Sequence, residues 1–411
     1  MLKQLGITAL ACTCLVVTPP MLADSATGDK TLSGWISSAL ANNPQLKAAL
    51  ATTDITRAGI RAADQPLFNP ELGLELEHTD INTLSAGISQ TIDWSDKRGA
   101  RTAVAELEQV IALAEHQTLQ QTLATRLLQA AADWQTSLDI SEISTRQLTL
   151  MERFASLAKR RHEAGDLSQS ELGLALLAVA DARFQLTNAH ADLIRTRQNV
   201  AALTGNSESL PPPFSTTHLS GNTTIDKTDA RLDALPQIAA ARARIMLAKA
   251  GVTLRKRETH ADPTIGLRLG REDSETLTAL SFDIPLFIRN RYQAEVEAAG
   301  SSVIQASQEL AMLQQQAQAR LTAADRIYRS TRESWQQWAL DGAPILNRRT
   351  ELLHKLWQAG ELRTTDYLVQ LKQTLETEIN AINQRGQLWR AWAEWLAATG
   401  QIKQWLSGEP S

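Results

Sequence analysis

Cysteine is nearly absent from this 411-residue chain, whose two copies, Cys12 and Cys14, both lie close to the N-terminus. Lys3 is the only charge of segment 1–23, and the rest of that segment is mostly apolar or small. This pattern predicts a secretory signal peptide that is cleaved after Ala23. Cleavage there leaves no cysteine, which excludes disulfides and thiol chemistry. A lipid anchor on Cys12 is the alternative, although the apolar run before that residue is very short.

Long apolar runs are missing from the rest of the chain. No stretch after the leader reaches the run of about 18 apolar residues that marks a transmembrane helix. A role within a membrane would therefore require β-strands.

Catalytic and cofactor motifs are missing as well. The seven histidines are scattered, and no HExxH, GxSxG or CxxC motif and no phosphate-cradling glycine loop occurs. The formal net charge of -4 gives no electrostatic reason to expect nucleic acid as a partner. We predict a protein that is not an enzyme and has no catalytic residue, no cofactor and no metal site.

What the chain does contain is an internal repeat with a constant offset of 192 to 195 residues. Each half predicts the same order of elements: helix, two strands, long helix, glycine turn, long helix. The matching segments are NPQL at 43–46 with LPQI at 235–238, NPELGL at 69–74 with DPTIGL at 262–267, and LTG at 203–205 with ATG at 398–400.

This repeat divides the chain into five predicted segments. They are the signal peptide 1–23, a first repeat 24–205, a Pro-, Ser- and Thr-rich linker 206–230, a second repeat 231–400 and a C-terminal tail 401–411. The strand pairs are expected at about 70–93 and about 263–286, and the helical hairpins turn at Gly165 and Gly360.

The predicted strands are amphipathic. Leucine alternates with polar or small residues in ELGLELE at 71–77, so Glu75 and Glu77 share a face opposite the leucines. The same rule places Arg268 on the polar face of a strand in the second repeat. Four such strands are too few for a membrane barrel, which needs at least about eight, and lipid does not tolerate unpaired edges. The chain therefore either avoids the membrane or pools strands with copies of itself, two copies giving eight strands and three giving twelve.

Long helices follow each strand pair. No glycine or proline occurs from Ala100 to Ala164, so one helix could run there for about 95 Å. Beyond the turn, Leu172, Val179, Leu186, Leu193 and Val200 recur at every seventh position, and small residues stand three places after the first four, at Ala175, Ala182, Ala189 and Thr196. A heptad of this kind predicts coiled-coil packing. The second repeat has its own heptad at Leu368, Leu375, Ile382, Trp389 and Leu396.

Taken together, these motifs resemble the outer-membrane factor family typified by TolC. The resemblance rests on the strand pairs NPELGLELE with QTIDWSDKRGAR and DPTIGLRLG with DIPLFIRNR, and on the turns AGDLSQSEL and AGELRTTDY. Within the family, the NPEL opening and the DKRGAR and RNR stretches look most like the heavy-metal branch typified by CzcC.

The resemblance implies a mainly α fold with a β-barrel part. A homotrimer would form a twelve-stranded outer-membrane β-barrel, continued by a long α-helical coiled-coil barrel through the periplasm of a Gram-negative bacterium. The implied partners are further copies of this chain, a periplasmic adaptor (membrane fusion protein), an inner-membrane RND-type pump and outer-membrane lipid. The implied function is passive efflux of heavy-metal cations, with drugs, organic toxicants or type I secreted proteins as alternative cargo. A soluble periplasmic coiled-coil scaffold is the alternative from another class.

The resemblance also implies three groups of site residues. The hairpin tips that would dock the adaptor are Gly165, Asp166, Leu167 and Ser168 in the first repeat and Gly360, Glu361, Leu362 and Arg363 in the second. An acidic ring at the aperture would consist of Glu171 and Asp366, whose alternative role is that of solvated charges in a first helical turn. The candidate barrel lumen consists of Glu75, Glu77 and Arg268.

Three further groups of residues are open to two interpretations. His162 and Trp357 stand three residues before the turn glycines, where the family often has Tyr or Phe. His162 could sense pH or contact a metal ion, although a lone surface histidine far more often does neither. Glu75 and Glu77, with His78 and Asp80, look like metal ligands, but period 2 favours a lumen role, and a tight metal site would oppose conduction. Trp94 and Phe287 occupy equivalent positions after the strands, as interfacial aromatics or as ordinary core residues.

Overall fold

The structure, a computed structural model, describes residues 25–78, 82–213, 232–359 and 361–407. The predicted signal peptide with Cys12 and Cys14, most of the linker, Asp80 and Gly360 lie outside the described residues.

Nine α-helices are described. They are α1 (Ser25–Asn42), α2 (Pro44–Ala63), α3 (Lys97–Glu163), α4 (Gln169–Thr204), α5 (Pro236–Glu258), α6 (Gln293–Gln337), α7 (Ala343–Gln358), α8 (Thr364–Ala398) and α9 (Ile402–Ser407). None of the described helices is long and apolar enough to cross a membrane.

Four strands form one antiparallel sheet in the order β1-β2-β3-β4. The strands are β1 (Glu71–His78), β2 (Asn82–Thr91), β3 (Thr264–Glu272) and β4 (Glu275–Asp283). β2 pairs with β3, with Ala86 opposite Leu269, and this pairing joins the two halves of the chain. The outer edges of β1 and β4 carry no partner strand among the described residues.

Local chemistry sets the helix boundaries. The side chain of Asn43 accepts hydrogen bonds from the backbone N–H groups of Gln45 and Leu46, and Pro44 occupies the first turn of α2. At the start of α3, the Asp93 carboxylate accepts from two backbone N–H groups at 2.8 Å each. These caps satisfy N–H groups that have no partner within the helix.

Helix α3 runs for 67 residues without a break, but its counterpart in the second half does not. A π-helical turn at Trp338–Gly342 separates α6 from α7. Pro344 follows two residues later and cannot donate a backbone hydrogen bond, which favours an interruption there. The long helix predicted before the second turn therefore contains a π-helical interruption, next to Gly342 and Pro344.

The helices pack through three buried clusters. One joins α1, α3, α8 and α9 and contains Trp389, Trp392 and Trp395. A second lies towards the two hairpin turns, where Phe154 and Ala158 of α3 meet Trp357 and Tyr367. The third joins the start of α5 to α6 through Ile238 and Leu321. In α4, the small heptad positions Ala175, Ala182 and Ala189 are buried.

Candidate functional site

The first hairpin turn connects α3 to α4 through Gly165. Its φ of 86° lies in the left-handed region, which costs glycine nothing because it has no Cβ. The N–H of Asp166 donates to the carbonyl of Arg161 at 2.8 Å, and the N–H of Gly165 donates to the carbonyl of His162 at 2.9 Å. This pattern satisfies the last carbonyls of α3 and reverses the chain.

The second hairpin turn repeats part of this hydrogen bonding 195 residues later. The N–H of Glu361 donates to the carbonyl of Leu356 at 3.0 Å, just as that of Asp166 does to Arg161 in the first turn. Leu362 is half-buried and Arg363 is exposed. The two turns thus present similar backbone with different side chains.

In the first turn, the candidate docking residues differ in exposure. Asp166 and Ser168 are exposed, whereas Leu167 is buried under the turn. His162 holds the turn from within, since its Nδ1 lies 2.8 Å from the carbonyl oxygen of Leu167. The free surface of this tip is therefore polar.

Both candidate aperture carboxylates have local partners. Ser168 and Glu171 form a reciprocal cap: the Glu171 N–H donates to Ser168 Oγ at 3.2 Å, and Ser168 Oγ and N–H donate to Glu171 Oε2. The hydrogen bonds from the side chain and then the backbone of Ser168 lower the pKa of Glu171. Asp366 pairs with Arg363 at 2.9 Å. Each carboxylate therefore stabilises the first turn of its own helix.

An aromatic cluster that was not predicted from the sequence lies behind the tips. Phe154, Trp357 and Tyr367 are buried together, with ring centroids 4.7 to 5.5 Å apart. The guanidinium of Arg161 lies 5.2 Å from the centre of the Trp357 indole. Trp357 and Tyr367 stand on either side of the second turn in the sequence, and this placement is the pattern from which their contact could have been predicted.

A second candidate surface is the polar face of the sheet. Arg268 of β3 reaches across β2 and forms an ion pair with Glu75 of β1. Ser85 Oγ lies between them and donates to Glu75 at 3.4 Å. This face lines an open cavity of about 360 Å³. Glu77 lies on the same face at the turn end of β1 and is exposed.

The opposite face of the sheet is apolar and exposed. Leu76 and Leu280 expose 84% and 79% of their surface. The other large apolar residues of this face, also exposed, are Leu72, Leu74, Leu84, Ile88, Ile265, Leu267, Leu269 and Phe282. Trp94, just beyond β2, is exposed as well, whereas Phe287 packs edge-on against Tyr292 at 5.1 Å.

The described candidate ligands near the β1–β2 turn, Glu75, Glu77 and His78, do not form a metal site. Glu77 and His78 lie on opposite faces of β1, and His78 Nδ1 is hydrogen-bonded to Asn82 Oδ1. Within the described ranges, no group of three or more His, Cys, Asp or Glu side chains could hold a metal ion.

The structure thus combines an amphipathic four-stranded sheet with two long helical hairpins. Residues 35–206 match the family model described as outer membrane efflux protein. This match covers most of the predicted first repeat. The outer-membrane factor resemblance drawn from the sequence is confirmed, and members of the family are outer-membrane transport ducts rather than enzymes.

Individual relatives agree with this assignment. The chain is 28% identical over 293 residues to the cobalt-zinc-cadmium resistance protein CzcC of Cupriavidus metallidurans, a match covering 68% of each chain. Two solved structures share the fold. The CmeC outer membrane channel of Campylobacter jejuni matches with a TM-score of 0.76 and 13% identity, covering 99% of this chain and 98% of its own. VceC, an outer membrane protein of Vibrio cholerae, matches with a TM-score of 0.73 and 18% identity, covering 90% and 96%.

Proposed function

We propose that this efflux protein is the passive outer-membrane exit duct of a tripartite efflux system for heavy-metal cations. Three copies would form the duct, an inner-membrane RND-type pump would supply the energy, and a periplasmic adaptor would join the two.

The sheet is the observation that carries this proposal. One face exposes large apolar side chains along all four strands, while the other carries charges and faces a cavity. A protein surrounded by water would gain from covering that apolar face. Against lipid the same face is stable uncovered, and strands of 8 to 10 residues suit a tilted crossing of the bilayer.

The unpaired edges of β1 and β4 require further copies of the chain. Lipid offers no hydrogen-bond partner for strand edges, so a spanning sheet must close into a barrel. Three copies contribute twelve strands, and β4 of one copy would pair with β1 of the next. The polar faces would then line the lumen, with Glu75, Glu77 and Arg268 among the lining residues.

The helices supply the length of the duct. At about 1.5 Å per residue, the 67 residues of α3 extend for roughly 100 Å. A helix of that length beside the sheet would carry the channel from the membrane into the periplasm. Its far end is the first hairpin turn, which lies near the second turn through the shared aromatic cluster.

The hairpin turns are the proposed docking surface for the adaptor. Asp166 and Ser168 of the first turn and Glu361 and Arg363 of the second are exposed. Leu167, which is buried, and Leu362, which is half-buried, would support the turns from below. Gly165 and Gly360 complete the set of docking residues that the family resemblance implies. A trimer presents six such tips in one ring, which matches the repeat of the turns along the chain.

The cargo assignment rests on the relationship to CzcC, a cobalt-zinc-cadmium resistance protein. The first test is a strain that lacks this gene, complemented with the wild-type chain or with an empty vector. Selective sensitivity to zinc, cobalt, cadmium or copper, together with raised intracellular metal content, is the expected result. Sensitivity to dyes, detergents and antibiotics alone would keep the duct and contradict the metal cargo. Export of an unfolded polypeptide through the duct would place it instead in type I secretion.

A fractionation experiment tests the duct against the scaffold alternative. The duct should remain with the outer membrane after urea and carbonate washing, and chemical cross-linking should give a trimer. A chain that is released by urea as a monomer would refute the proposal.

A further inference from the structure

The polar face of the sheet has an uneven distribution of charge. Among the described strand residues it carries one basic side chain, Arg268. The strand register places six carboxylates on the same face: Glu71, Glu75, Glu77, Glu272, Glu275 and Asp283. Arg268 is therefore surrounded on this face by an excess of acidic side chains.

Arg268 lies midway along β3 and reaches over a strand to find its partner. Its direct neighbours in the register are Gly87 and Ala279, which offer no side-chain acceptor. A Cβ on Gly87 would lie 3.2 Å from the Cβ of Arg268, so the glycine leaves room for the arginine to cross β2. The guanidinium then meets Glu75, which also accepts from Ser85.

The pair lies at the surface of the cavity. The two side chains retain 47% and 49% of their exposure, and both line the cavity on the polar face. Ions passing along this face would therefore meet the pair directly, with little protein between.

The carboxylates on either side of the pair have no basic neighbour on this face among the described strand residues. The row at the turn end of the strands brings together Glu77, Glu272 and Glu275. The row at the helix end carries Glu71, and Asp283 lies beyond it. Along the strands the polar face is thus negative, then neutral at the pair, then negative again.

We propose that the Glu75–Arg268 ion pair determines the charge selectivity of the lumen, which rests on the proposed duct function. In the assembled duct, three pairs form a neutral band between two acidic ends. The acidic ends attract cations, and the neutral band keeps a cation from being retained midway, because conduction requires weak binding. Arg268 is the residue that sets this balance, since its removal would leave three uncompensated carboxylates in the band.

Planar-bilayer recording of the purified full-length protein tests this inference. A gradient of KCl gives the ratio of cation to anion permeability from the reversal potential, and low salt keeps the fixed charges unscreened across the lumen. The variants are Glu75→Gln, Arg268→Gln and the double substitution. Glutamine is close in size to glutamate, and both positions are half exposed, so the sheet is expected to form in each. Arg271→Gln is the matched control, because Arg271 lies on the same strand but on the opposite face.

The two single variants should change the permeability ratio in opposite directions. Arg268→Gln should raise the preference for cations by about twofold or more, and Glu75→Gln should lower it by a similar factor. The double substitution should return the ratio to the wild-type value, and Arg271→Gln should leave it unchanged. Zinc added to one side should slow the current more strongly in Arg268→Gln than in wild type.

Two outcomes would overturn the inference while leaving the proposed function in place. If both single variants form channels with the wild-type permeability ratio, the ion pair does not determine selectivity, and the proposed duct function is unaffected. If Arg271→Gln changed the permeability ratio as much as Arg268→Gln, the total charge of the protein, and not the ion pair, would determine that ratio. A wild-type protein that opens no channel would instead refute the proposed function, and the inference with it.

Discussion

The indole of Trp357 lies almost parallel to the phenol ring of Tyr367, with ring centroids 4.8 Å apart and an interplanar angle of 14°. Trp357 belongs to the last turn of α7 and Tyr367 to the first turn of α8. Only 3% and 2% of their surfaces are exposed. Phe154 of α3 closes the cluster from the first hairpin, so the two hairpin turns of the chain are held together by three aromatic rings.

Trp357→Ala should loosen the second tip. Removing a buried tryptophan leaves a cavity and typically costs about 3 to 5 kcal/mol. We expect hydrogen exchange to become faster in the last turn of α7 and the first turns of α8, and in α3 around Phe154. Trp94→Ala is the control, because that indole is exposed and far from the tips in the sequence. Unchanged protection at the tip in Trp357→Ala would show that the cluster does not hold the hairpins.

Alkaline pH should loosen the same tip. Burial raises the pKa of Tyr367 above the ordinary tyrosine value of about 10. The neutral phenol therefore stabilises the tip fully below pH 10 or so, and this contribution is lost as pH rises through the raised pKa. Hydrogen exchange at the tip, corrected for its intrinsic pH dependence, should show this opening step.

Tyr367→Phe separates the phenol from the ring. The variant keeps the stacking and should lack the alkaline step. Tyr328→Phe is the matched control, because burial also raises the pKa of Tyr328, which packs against Trp395 instead. An alkaline step at the tip that persists in Tyr367→Phe would assign it to another group.

The tip illustrates what local sequence can and cannot predict. The reversal at Gly165 was predictable, because a left-handed turn after a long glycine-free helix has few alternatives. Strand alternation likewise identified the two faces of the sheet, since period 2 is a local property. The contact of Phe154 with Tyr367 joins distant parts of the chain, and no local pattern encodes it.

Charged residues were harder to interpret from sequence than apolar ones. Glu171 and Asp366 were candidates for an acidic ring, and the structure gives each a partner within three residues. Glu75 and Arg268 are 193 positions apart, and their pairing depends on the register of three strands. The alternation of each strand predicts that both side chains lie on the polar face. Their ion pair could not be predicted, because it depends on the register between the strands.

Gly386 is a position where an added side chain should destabilise the packing of α8 against α3. A Cβ there would lie 2.3 Å from Oγ1 of Thr136, where α8 approaches α3. Gly386→Ala should cost about 1 to 3 kcal/mol through overpacking, despite the better helix propensity of alanine. Gly300→Ala, in open space on α6, should instead stabilise by about 0.5 to 1 kcal/mol. Chemical denaturation measures both.

Relief of the clash provides the control for this prediction. Adding Thr136→Ala to Gly386→Ala removes the hydroxyl and methyl groups that the new Cβ would meet. The double variant should recover most of the lost stability. Independent, additive effects of the two substitutions would contradict a close contact at this crossing.

A pair of leucines on β4 tests which face of the sheet meets lipid. Leu280 is exposed on the apolar face opposite Leu267, whereas Leu277 lies on the polar face opposite Gly270. Arginine on a lipid-facing strand costs roughly 2 to 4 kcal/mol at the bilayer midplane, and a charge facing the lumen is tolerated. Leu280→Arg should therefore prevent assembly into the outer membrane. Leu277→Arg makes the same chemical change on the same strand, close to Glu272 and Glu275, and should assemble. The amount of washed outer-membrane trimer measures both variants, and equal assembly of the two would mean that the exposed apolar face does not contact lipid.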